Sequence, residues 1–286
     1  MRSPGAGPWF VPVPDHQPPA PGEHPRLLFR SSRLPELRRR AATPEGRVIL
    51  TRLEQLLPGP PTIGHPAGHC FLYHLTSEPR HALAARDSWD RALAGERDRD
   101  PRYSFRTPGG ALRAGPSLGW LAVGYDLCYR AWDAATRERI GRAIAEYAEP
   151  VEIRGGRAPI TLHDLARGTM PPGSNHFGMQ VGGAALALLA VSGEPWADQP
   201  RIDASLREVE ASLLRNLSEG FGDGGFFAEG DGTGSMASQI VYLAALDAWR
   251  NARGRDYSLG PRPNVRMMVL KWIYQTLYVN GQPRVW

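Results

Sequence analysis

Pro171-Pro172-Gly173-Ser174-Asn175-His176 runs directly into an apolar stretch, Phe177-Gly178-Met179-Gln180-Val181-Gly182-Gly183-Ala184-Ala185-Leu186-Ala187-Leu188-Leu189-Ala190-Val191. The apolar stretch predicts a long helix from Phe177 to Val191. A helix that is apolar on most faces must be buried on most sides. Its small residues, Gly182, Gly183 and Ala184 among them, permit close helix packing. The polar stretch puts an amide and an imidazole at the helix start, where unpaired N–H groups and the helix dipole receive an anion well. A second polar loop, Gly220 to Gly234, follows about one helical hairpin later and carries Asp223, Glu229 and Asp231.

Working outward, the pattern from Leu34 onward is helix after helix. Ile140, Ala143, Ile144, Tyr147 and Ala148 recur at helical spacing behind Asp133, an expected N-cap. Ile202, Leu206, Val209, Leu213, Leu214 and Leu217 trace another stripe, ended by Gly220. Val241, Ala245 and Trp249 share a face that Gly254 closes as a C′ residue. No segment gives a clear alternating strand pattern. An internal echo joins Leu72-Tyr73-His74-Leu75-Thr76-Ser77-Glu78-Pro79 to Leu188-Leu189-Ala190-Val191-Ser192-Gly193-Glu194-Pro195. In each, an apolar helix ends in a polar turn and Glu-Pro is expected to start the next helix. Weaker copies begin at Leu127 and Leu246. Repeated hairpins stack into an open solenoid or a closed toroid. The helices after Asn175 and Gly234 suit the inner ring of an incomplete (α/α) toroid. The expected class is therefore all-α, with residues 1–23 an extended or disordered arm and 24–286 one toroid domain.

Composition narrows the function. The chain has 286 residues, 42% of them hydrophobic and 22% charged, which suits a globular protein with a substantial core. No run is long enough to span a bilayer. The opening Pro/Gly-rich residues lack the apolar core of a signal peptide, which points to the cytoplasm. Net charge is +5 from scattered basic residues, too weak a field to argue for nucleic acid. Nearly all of these are Arg, whose fork suits carboxylate and sulfate as well as phosphate. Cys70 and Cys128 make neither a metal spacing nor a disulfide framework and read as buried free thiols. His65, His69, His74 and His81 form a loose cluster in which Pro66 and Gly68 argue against a helix. No metal or other cofactor is expected.

Several pieces in order resemble the heparinase II/III-like polysaccharide lyases. They are His24-Pro25-Arg26-Leu27-Leu28-Phe29 with Leu34-Pro35-Glu36-Leu37-Arg38, Gly124-Tyr125-Asp126-Leu127, Asn175-His176, and Gly224-Gly225-Phe226-Phe227-Ala228-Glu229-Gly230. The resemblance runs from about His24 to about Lys271. It implies an N-terminal toroid, alginate-lyase-like, that precedes a β-sandwich in full-length relatives; no β region is read in this sequence. That family is often periplasmic or secreted. The implied activity is cleavage of a uronate-containing anionic polysaccharide or oligosaccharide by β-elimination.

By that resemblance Asn175 neutralises the uronate carboxylate and His176 is the base. A helix N-terminus disfavours imidazolium, so His176 is expected to be neutral. The family's Tyr after the Glu-Gly pair is Thr233 here, which leaves Asp231 or Tyr242 as the substitute acid. His163 and Arg167, in a loop before the Asn-His motif, and Glu229, Trp120 and Tyr125 are the candidate substrate contacts. Plainer roles stand beside these: Ser174 and Asn175 as helix caps, Glu229 as a loop brace, Asp223 closing a turn with Gly224, Asp126 as structural, and Trp120, Tyr125 and Trp132 as core. Two other functions fit the same residues. One is a toroidal glycoside hydrolase pairing Glu229 or Asp231 with Asp126 or Asp164. The other is a non-catalytic carbohydrate-binding or scaffold relative of the lyases.

Overall fold

The structure, a computed structural model, describes residues 9–59 and 61–285; the first eight residues of the expected arm lie outside it. Among the described residues there are twelve α-helices: α1 Leu34–Ala41, α2 Pro44–Leu56, α3 His65–Thr76, α4 Pro79–Leu93, α5 Ala111–Cys128, α6 Ala134–Ala145, α7 Leu162–Arg167, α8 Asn175–Val191, α9 Gln199–Arg215, α10 Asp231–Gln239, α11 Tyr242–Arg253 and α12 Asn264–Tyr274. The strands among the described residues form three two-stranded ribbons, so the class is all-α. None of the described helices is long and apolar enough to cross a membrane.

Small residues set the packing at the centre. A Cβ on Gly119 of α5 would stand 2.9 Å from Gly183 Cα of α8, and one on Gly115 would strike the backbone at Met179. Residue order therefore runs the same way in both helices. On the other side of α8, a Cβ on Gly182 would lie 2.9 Å from Tyr242 Cα at the start of α11. Gly124 of α5 meets Pro66 and Ala67 of α3 in the same manner. α3, α5, α8 and the α10–α11 pair thus stand side by side and parallel. α5 and α8 are buried almost throughout. The helices that follow them bury one stripe each: Ile140, Gly141 and Ile144 in α6, and Ile202, Leu206, Val209 and Leu213 in α9.

The expected caps form. Asp133 accepts from Thr136 N at 2.8 Å, and Gly254 ends α11 in the left-handed region at φ 67°. The sequence echo marks the C-terminal ends of α3, α5, α8 and α11. One part of it fails: Glu78-Pro79 does start α4, whereas α9 starts at Gln199 behind Asp198. Glu194 instead turns inward.

There it joins a buried polar network. His24 places Nδ1 2.6 Å from Asp126 Oδ1 and Nε2 2.9 Å from Glu194 Oε1. Arg26 donates through Nη2 to Ala190 O and Glu194 Oε1 and through Nη1 to Ser192 O. Asp126 also accepts from the backbone N–H of Arg26 and Leu27, and Tyr129 donates to Glu194 Oε2 at 2.7 Å. Two of the family-like pieces, around His24 and around Asp126, are thus one structural joint. It pins the N-terminal segment across the ends of α5 and α8. The arm is extended but docked: Val11 and Pro12 pair with Asp256 and Arg255, and Trp9 and Phe10 pack on the core.

Three further expectations are corrected. Cys70 and Cys128 are disulfide-bonded, closing 58 residues, the same spacing that sets Gly124 against Pro66. Parallel register brings the two thiols together, which sequence spacing alone does not reveal. α3 does form over His65 and His69, because Pro66 falls in its first turn, where no N–H is needed. A strand pair, Ala148–Ile153 with Gly156–Thr161, follows α6. Its alternation is masked because the inward position Glu149 is charged, held by Arg106 and Thr107 N, and Pro150 lies opposite Pro159.

Candidate functional site

Ser174 caps α8, its Oγ accepting from His176 N at 3.3 Å. Asn175 and His176 form the first turn and are half-buried. The Gly-rich loop folds back on itself, with Phe221 bridged to Phe227 and Ala228 N donating to Gly220 O. That fold delivers Glu229 to α8, where Oε2 accepts from Asn175 N at 2.9 Å. The two motifs the sequence paired are therefore in contact. The helix start already holds a carboxylate, and it belongs to the protein.

The side-chain oxygen Oδ1 of Asn175 is buried and has no hydrogen-bond partner among the described residues. The His176 imidazole is lowered from its ordinary 6.5, chiefly by burial and further by the Arg113 guanidinium, with Glu229 opposing. Neutral imidazole was expected; burial is its main cause. Arg113, in the first turn of α5, is a site residue that the motifs did not reveal. Its guanidinium lies over the Tyr103 ring at 5.1 Å, and its Nε and Nη1 are buried without a hydrogen-bond partner among the described residues.

Tyr103 also walls a largely apolar cleft of about 600 Å³ together with Trp120, Phe71, Val123 and Ile240. Trp120 is half-buried there and packs against the core. Asn175 and His176 do not line this cleft. Arg113 relates the two, since it stacks on Tyr103 and its charge acts on His176.

Other candidates lie elsewhere. Tyr242 is fully buried beside Gly182, donates to Leu213 O at 2.7 Å, and burial pushes its phenol well above 10; it cannot serve as the acid. Tyr125 is fully buried against His24 and Tyr129, so it is core. Asp231 starts α10 and is tied to Lys271 and, at 2.7 Å, to Gln275. Burial raises its carboxyl, but those two donors outweigh it and the net pKa is lowered, which makes Asp231 a poor proton donor. Thr233 donates to Glu229 O and Gly230 O. His163 and Arg167 sit on α7, not on a loop; His163 is exposed and Arg167 faces Glu208 of α9 at 3.7 Å.

Several plainer roles hold. Asp126 is structural, and Trp132 is core with Nε1 donating to Ala82 O. Asp223 pairs with Arg262, while Gly225 N and Gly222 O close its turn. The hydrolase pairs fail, because Asp126 is sealed in the joint and Asp164 forms a capping box with Thr161. His69 Nδ1 lies 3.3 Å from His81 Nδ1, and burial with the neighbouring imidazoles takes His69 down to about 4. Among the described residues, no group of three or more His, Cys, Asp or Glu could hold a metal ion.

The chain matches no protein-family model and no curated protein. Its likeness to the lyases therefore rests on the residues quoted above.

Proposed function

We propose that this chain is an α/α-toroidal polysaccharide lyase domain that cleaves a uronate-containing chain by β-elimination. The observation that carries the reading is the junction of Asn175, His176 and Glu229 at the start of α8. Four parallel, laterally packed helices, the later ones each backed by an amphipathic helix, support an arc of such a toroid.

The chemistry follows from the groups. The proton beside a uronate carboxylate becomes removable once that carboxylate is neutralised, a task for the Asn175 amide. His176, neutral through burial, accepts the proton. Electrons move to form the carbon–carbon double bond as the glycosidic oxygen departs from the neighbouring carbon. Thr233, Asp231 and Tyr242 are engaged elsewhere, so this reading gives His176 the return of the proton to the departing oxygen.

The test is incubation with a panel of uronate polysaccharides, following the ultraviolet absorbance of unsaturated products. Asn175→Ala and His176→Ala are each expected to lower turnover about 100-fold or more. Full activity in the double variant would remove the site assignment.

A second reading, a non-catalytic carbohydrate-binding relative, is favoured by Thr233 standing where a phenol is expected. It predicts oligosaccharide binding without unsaturated product in the wild type.

A further inference from the structure

We infer that Arg113 receives the substrate carboxylate together with the Asn175 amide, and so sets the selectivity of this site for uronates over neutral sugars. The inference rests on the proposed lyase site and adds a residue from a different helix.

The start of α8 does not offer an open anion site. Glu229 takes Asn175 N–H and Ser174 Oγ takes His176 N–H. A carboxylate arriving there also meets the charge of Glu229 at close range. It needs a compensating cation, and Arg113 supplies one. A guanidinium keeps its charge at any working pH, so its N–H groups must find acceptors. The Tyr103 ring answers the face of the guanidinium but offers no lone pair to its edge. Nε and Nη1, whose N–H groups point to different edges of the guanidinium, are buried and unpartnered among the described residues. Leaving them so is costly, and an anionic oxygen is the strongest acceptor such buried guanidinium N–H groups can take.

The nearby carboxylates are committed elsewhere. Asp100 is held by Arg102 through Nε, Nη2 and backbone N–H, and Glu229 is held by Asn175. The register of α5 against α8 puts Arg113 level with the first turn of α8, since Gly115 lies against Met179. Its charge acts on His176, the proposed base. A carboxylate paired with Arg113 would accordingly present its neighbouring carbon to the imidazole.

Calorimetric binding of unsulfated uronate tetrasaccharides, their carboxyl-reduced neutral forms and inorganic sulfate tests this. Wild type is expected to prefer at least one uronate over its neutral form by about tenfold or more. Arg113→Met should erase that preference, and Arg113→Lys should keep only part of it. Thermal unfolding of both variants controls for folding. Wild-type binding to none of the uronates, an undiminished preference in Arg113→Met, or a stronger affinity for sulfate than for every uronate would overturn the assignment. Failure of the lyase reading is separate. A preference lost in Arg113→Met with no unsaturated product in wild type upholds the receptor and removes the lyase. Turnover with a preference indifferent to Arg113 does the reverse.

Discussion

At the scale of the residue, His176 is governed by its burial and by two neighbours of opposite effect. Burial and Arg113 lower its pKa below 6.5, and Glu229 raises it. A base must be neutral to act, so activity should rise with pH through that lowered value and be fully developed by the ordinary imidazole range. Glu229→Gln removes the raising charge and should move the acid limb of the kcat profile to lower pH. Arg113→Met should move it to higher pH. A limb that responds to neither variant would remove His176 from the role of base. Asn175, His176 and Glu229 were legible in the sequence because each sits in a short local pattern. Arg113 was not, because it is one arginine among many until the packing of α5 on α8 gives it neighbours.

At the scale of the element, close approach is the controlling feature. Gly183 of α8 sits against the backbone of Gly115 in α5, with no space for a methyl group. Gly183→Ala gains helix propensity of about 1 kcal/mol, yet it forces the two backbones apart. Overpacking of this kind costs about 1–3 kcal/mol or more, so a net loss of stability is expected in urea unfolding. An unchanged midpoint would show that the helices are not packed in this register. The small residues of α8 announced close packing in the sequence, but not which partners lay on which side. The Ala148–Thr161 ribbon escaped notice for the opposite reason. Its inward Glu149 is satisfied by Arg106 and Thr107, which lie outside the strands.

At the scale of the whole molecule, the joint of His24, Arg26, Asp126 and Glu194 ties the N-terminal segment to the far ends of two central helices. Burial raises the Glu194 carboxyl, but hydrogen bonds from His24 and Tyr129 and the Arg26 charge outweigh it, and the net pKa is lowered. Stability from such a group is complete above its unfolded value, ordinarily 4.5, and is lost as pH falls through the lowered folded value. Glu194→Gln leaves the buried Arg26 guanidinium half-answered and should cost about 3 kcal/mol at neutral pH. Its unfolding midpoint should approach that of wild type as acidification passes below the lowered Glu194 value, where both lack the carboxylate charge. A constant gap between the two curves would assign the loss to shape instead of charge.

The sequence by itself determined the helical class, the echo that marks four helix ends, the caps at Asp133 and Gly254, and the pairing of the Asn-His motif with the Gly-rich loop. These are local patterns, carried by spacing and by residues with one dominant conformational use. Tertiary structure alone decided the Cys70–Cys128 bond, the inward turn of Glu194, the burial of Tyr125 and Tyr242, and the place of Arg113 beside His176. Each depends on which residue of one helix lies level with which residue of another. That register is fixed by glycine contacts between segments some 60 residues apart, and no periodicity within either segment encodes it.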